Sequence, residues 1–119
     1  MTATKDKVDG FFERYTAALL ARDAKAIAGM YAVPSLILFP GTSIPVSDSR
    51  QTEEFFASAF SQYSGVDAIE KQTVIMGEAP GTVWADVTWT YGNRQPERFC
   101  YQLIDSFEGY RIAVLTLMA

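Results

Sequence analysis

A sequence of 119 residues with 49% hydrophobic and 20% charged side chains has the balance of a globular domain. It is long enough to bury roughly two thirds of its unfolded surface without disulfide or metal staples. A formal charge of -4 and a pI near 4.7 argue against a nucleic-acid partner, which would want a basic face. A single cysteine, Cys100, excludes an intrachain disulfide, and the absence of histidine excludes serine–histidine and cysteine–histidine nucleophiles, histidine metal sites and histidine acid/base steps.

In chain order, Val8, Phe11, Phe12, Tyr15 and Leu19 recur at steps of three and four, which predicts an amphipathic helix over 5–21. Asp23 is placed to cap a second, short helix with Ile27, Met30 and Tyr31 on its apolar face. Pro34 is expected to stop it. Leu36 to Phe39 and Thr42 to Val46 read as two short strands around Pro40-Gly41, and Pro45 would confine the second to a sheet edge. Ser47, Asp48 and Ser49 offer caps for a third helix whose buried stripe is Phe55, Phe56, Ala59, Phe60 and Tyr63, with Gly65 as its end.

From Val66 onward the period is two, in four runs divided at Pro80-Gly81, Gly92-Asn93 and Glu108-Gly109. Those spacings predict an antiparallel four-stranded meander. Helices followed by strands give an α+β domain, expected to be a single one over 1–119, with helices packed on one sheet face. The opening Lys5-Asp6-Lys7 leaves no apolar leader, and the stretch 26–39 is too short and too interrupted to cross a bilayer. A cytoplasmic protein without membrane contact is the expectation, and no motif asks for a cofactor or a metal.

Alternation then assigns sides. Val83, Ala85, Val87, Trp89 and Tyr91 share one face, as do Phe99, Tyr101, Leu103 and Asp105. The apolar sets should face the helices, because their burial is the main driving term, about 25 cal/mol per Å². Asp105 then falls on the inner side, where a carboxylate is costly unless paired, hydrogen-bonded or protonated. Either it anchors the turn 106–109 by accepting backbone bonds, or it projects into a cavity as a carboxylic acid with a raised pKa. A one-residue bulge would instead turn it outward.

The order of elements, together with Arg14-Tyr15, Ala17-Ala18-Leu19, Asp23 and Ile104-Asp105-Ser106-Phe107, resembles the nuclear-transport-factor-2-like (NTF2-like) superfamily across the whole chain. The strings are most similar to ketosteroid isomerase, with the SnoaL-like polyketide cyclases close behind. The resemblance implies a curved sheet wrapped by three helices into a cone. It also implies that Tyr15 and Asp105 match the two hydrogen-bond donors that ketosteroid isomerase aims at an enolate oxygen, the acid being kept protonated by its apolar site. The family's basic aspartate would fall at Phe39, which cannot move a proton, and the cyclases' histidine has no counterpart. An Asp-Arg-Asp epoxide-hydrolase arrangement would need Asp86 and Arg98, which alternate to the face opposite Asp105.

The resemblance further places Phe39, Phe55, Val87, Trp89, Tyr101, Leu103, Phe107 and Met118 along the cone's lining. Three functions follow as expectations. One is a pocket for a small hydrophobic or carbonyl-bearing molecule. Another is an isomerase, dehydratase or cyclase with a substitute base, for which Glu70 and Glu78 are candidates. The last is a non-catalytic dimerisation module with a filled interior. Trp84, Ile104 and the strand over 112–118 leave apolar groups on an outer sheet face with no helix to cover them, so a homodimer through that face is expected. Cys100, on the same face, reads as an inert small residue.

Overall fold

The computed structural model describes residues 2–63, 68–92, 94–106 and 109–118. Helix α1 (Thr2–Ala21) is followed by α2 (Ala24–Ala28), β1 (Tyr31–Phe39), β2 (Thr42–Val46), α3 (Ser49–Ala59) and a 3₁₀ turn (Phe60–Tyr63). The strands β3 (Ile69–Ala79), β4 (Thr82–Tyr91), β5 (Glu97–Ser106) and β6 (Gly109–Leu117) complete the chain. They form one mixed sheet in the order β2-β1-β6-β5-β4-β3. Only β1 and β6 run parallel; the other four pairings are antiparallel. The expected meander and α+β class are present, and β2, carrying Pro45, is an edge strand as its missing amide requires.

The caps explain where the short helices begin. The Asp23 carboxylate accepts the amide of Ala26 at 3.1 Å. Asp48 accepts the amide of Arg50 at 2.9 Å, while Gln51 reaches back to the amides of Ser47 and Asp48 at 2.7 and 3.1 Å. These side chains satisfy backbone donors that a helix start would otherwise leave unpaired.

The second helix departs from the sequence reading. It ends at Ala28, and Tyr31 opens a nine-residue strand that contains Pro34 instead of stopping at it. The ladder to β6 pairs Tyr31 with Ile112 and resumes only at Leu36 with Val114. Pro34 lies in that interruption, where no ladder amide is needed. Pairing with β6 therefore overrides a short local helical preference.

Two hairpins turn through Pro-Gly, at Pro40-Gly41 and Pro80-Gly81, with glycine φ of 74° and 79°. Proline presets the first turn position, and only glycine adopts the second without steric cost. Register shifts interrupt β3 between Ile75 and Gly77, β6 opposite Gln102 and Leu103, and β1 between Tyr31 and Leu36. Such bulges increase local bend and twist, and the sheet is accordingly curved. Its inner side buries Val83, Ala85, Val87, Trp89, Tyr101, Leu103, Ile112 and Leu115 against Val8, Phe11, Phe12 and Tyr15 of α1.

Candidate functional site

The two ends of the inner sheet face differ. At one end the first turns of α1 lie over Val83, Leu103 and Tyr110, and the space is filled. Phe11 meets Phe12 edge-on at 5.1 Å, and Phe12 meets Tyr101 at 4.9 Å. At the other end the last turn of α1 and helix α3 stand away from the sheet and border a partly open cavity of about 400 Å³. Helix α1 contributes Tyr15, Leu19 and Leu20, and α3 contributes Phe55, Phe56, Ser58 and Ala59. The sheet supplies Phe39, Ile69, Tyr91, Phe99, Tyr101, Leu115 and Leu117, while Arg22, Glu97 and Phe60 also line the cavity.

Four expected site residues are therefore brought together, namely Tyr15, Phe39, Phe55 and Tyr101. Val87, Trp89 and Leu103 are not in the wall. Each is 0% exposed. Val87 and Trp89 sit on β4 level with the lining residues Phe99 and Glu97 but are covered by α1, whose Phe12 and Tyr15 rings meet the indole. Leu103 lies toward the filled end. Met118 is 43% exposed. The β6 bulge at Ala113 moves the inward parity from Tyr110 and Ile112 to Leu115 and Leu117, which turns Met118 out. Phe107 lies outside the described residues.

Asp105 is the larger correction. It keeps the inward parity of Tyr101 and Leu103 but sits at the far end of β5, opposite Tyr110 and at the margin of the first turns of α1. Its carboxylate meets Lys7 at 3.5 Å with half of its side chain exposed, and Lys7 also lies over the Tyr110 ring. Its amide donates to the Gly81 carbonyl at 2.9 Å. Asp105 therefore neither lines the cavity nor approaches Tyr15. Asp86 and Arg98 fall on the outer face as alternation predicts, and there the Arg98 guanidinium grips both Asp86 carboxylate oxygens, with Nε at 2.9 and 3.0 Å. Burial and Asp86 push the Cys100 thiol up, against the opposing pull of Arg98, so it stays protonated.

What replaces the Tyr15–Asp105 pair is a cluster of phenols. The Tyr15 and Tyr31 hydroxyls are 2.7 Å apart, and the Trp89 indole N–H donates to the Tyr101 hydroxyl at 2.9 Å. Burial, reinforced by neighbouring phenols, holds Tyr15, Tyr31 and Tyr101 well above the ordinary tyrosine range. Each remains a neutral group with one hydrogen to donate. Tyr31 escaped the sequence reading because its spacing from Ile27 placed it on a helix. Tyr101 was expected as apolar lining, and its polar role had a signal in its shared strand parity with Trp89.

Of the carboxylates, Glu97 lines the cavity; Glu70 borders a separate groove with Gln72 and Thr88, and Glu78 accepts from Thr4. Phe39 occupies the cavity wall. Arg22 closes α1 in the left-handed region with φ 53° and donates to the Leu20 carbonyl at 3.1 Å. Among the described residues, no cluster of three histidine, cysteine, aspartate or glutamate side chains is placed to hold a metal. No described helix is long and apolar enough to cross a membrane.

A sheet of this order, with three helices on its inner face, has counterparts among solved structures. Aln2 from a Streptomyces species superposes with a TM-score of 0.75 at 15% identity, covering 98% of this chain and 91% of that one. A domain of unknown function with a cystatin-like fold from Nostoc punctiforme gives 0.72 at 14% identity, covering 99% and 78%. The chain has an NTF2-like, cystatin-like fold. A protein named Rd1NTF2_05, in a substituted version, also matches, with a TM-score of 0.75 at 8% identity over 97% of this chain and 99% of that one. No protein-family profile and no curated protein sequence matches the chain. The NTF2-like likeness is thus one of fold.

Proposed function

We propose that this NTF2-like protein binds a small hydrophobic or carbonyl-bearing molecule in the cavity between α1, α3 and the sheet. The observation that carries this reading is the partly open pocket of about 400 Å³, walled by aromatic and aliphatic side chains with a few placed polar groups. Pockets for small ligands have that size and composition. The neutral phenols supply hydrogen bonds without the cost of a buried charge. Glu97 and Arg22 give the lining one carboxylate and one guanidinium.

The reading includes a homodimer formed through the outer sheet face, leaving the cavity on the opposite side free. The lone thiol of Cys100 suits a reducing, cytoplasmic setting. Equilibrium dialysis against 2-ethylnaphthalene tests the pocket. Wild-type protein should bind it, and Ala59→Trp, which fills the space with an indole, should weaken binding at least about tenfold while leaving the fold intact. Equal binding by both would place the compound elsewhere.

A further inference from the structure

The direction of the hydrogen bonds beneath the cavity is set by chemistry. An indole N–H can only donate, whereas a phenol both donates and accepts. Because Trp89 Nε1 gives its hydrogen to the Tyr101 oxygen at 2.9 Å, Tyr101 must direct its own hydrogen away from Trp89. The indole cannot reverse the arrangement. It is 0% exposed, lies parallel to the Tyr91 ring with centroids 6.4 Å apart, and is met edge-on by Phe12 at 6.2 Å. Tyr101 and Tyr15 both line the cavity, and their rings are 6.0 Å apart at a steep angle. The Tyr101 hydroxyl is a hydrogen-bond partner of Tyr15, so its hydrogen points to the Tyr15 oxygen until an acceptor that enters the cavity competes for it.

Resting on the proposed binding function, we infer that Trp89 is a positioning residue. It fixes the polarity of the Tyr101 hydroxyl so that the cavity selects ligands presenting an oxygen acceptor, such as a ketone, over hydrocarbons of the same shape. The neutral state of these phenols, which burial enforces, keeps the donor available across ordinary pH.

The test uses a matched pair, 2-acetylnaphthalene and 2-ethylnaphthalene, in equilibrium dialysis with the full chain. A hydrogen bond of ordinary net worth predicts that wild-type protein prefers the ketone about threefold to tenfold. Tyr101→Phe should bring the two affinities together while leaving hydrocarbon binding in place. Trp89→Phe, which keeps the Tyr101 hydroxyl but frees its direction, should reduce the ketone preference. A general loss of packing would weaken both compounds alike and leave the ratio unchanged. Equal wild-type affinities would overturn the selection of acceptors, and an unchanged ratio in Trp89→Phe would overturn the role of the indole. Failure of both compounds to bind wild-type protein would overturn the binding function itself.

Discussion

Asp105 and Tyr101 lie four residues apart on the same side of β5, yet the carboxylate is half in water and the phenol is buried. Parity along a strand gives the direction of a side chain; what lies above that point of the strand decides whether it is buried. This is why alternation correctly grouped the inner residues of β4 and β5 and still misplaced the acid. Asp105→Asn should change unfolding free energy by less than about 0.5 kcal/mol and leave ligand binding unaltered. An exposed pair such as Lys7–Asp105 contributes little. Chemical denaturation and dialysis check both, and a loss of several kcal/mol would restore a buried anchoring role.

The phenols predict a pH dependence of stability. Tyr15, Tyr31 and Tyr101 are raised in the folded protein by burial, while in the unfolded chain they ionise near about pH 10. Their contribution to stability is fully present below that pH. It falls as pH rises above it, by up to about 1.4 kcal/mol per pH unit for each phenol. Urea unfolding between about pH 9 and pH 11.5 should show the decline, with the phenolate absorbance of these residues appearing only on unfolding. Their titration at an ordinary pH in the intact fold would show that the cluster is wet.

At the scale of elements, the helices and hairpins were legible because their signals are local. Asp23 and Asp48 cap where a capping residue should, and Pro-Gly turns occur at both expected places. What could not be read depends on partners distant in sequence. The conversion of Tyr31 to a strand residue needs β6, and the shift of inward parity in β6 needs the bulge opposite β5. Those two features also decide the site. One brings Tyr31 to Tyr15, and the other exchanges Met118 for Leu115 and Leu117.

The outer sheet face carries a prediction of its own. Register aligns Trp84, Gln102, Val114, Leu36 and Pro45 in one row across five strands, and Val74 and Met76 are 59% and 54% exposed. A second copy would remove this surface from water, as isologous pairing commonly does. Light scattering should give twice the 13.2 kDa chain mass at micromolar concentration, and Trp84→Lys should shift it toward the monomer. A wild-type mass of one chain would remove the dimer.

For the whole molecule, curvature unites these observations. One end of the inner sheet is filled by α1, whose phenylalanines leave no room for a ligand. The other end is roofed by the Phe55 and Phe56 rings of α3, 5.3 Å apart, which reach toward Phe39 and Tyr31. The same chain thus devotes one half of its inner surface to stability and keeps a space open in the other. Sequence periodicity indicated the helices, the meander and the inner set of each strand, while the resemblance implied the curved sheet and included Tyr15, Phe39, Phe55 and Tyr101 of the aromatic wall. Neither could separate filler from wall, because both are large apolar side chains of the same parity.

The most direct measurement is an amide NMR titration of the protein with 2-ethylnaphthalene. Saturable shifts should concentrate on Leu19, Leu20, Phe56, Ala59, Phe99 and Leu117 around the cavity, with Val83 and Ile104 at the opposite end unmoved. Shifts confined to the outer sheet face, or none at all, would contradict the account.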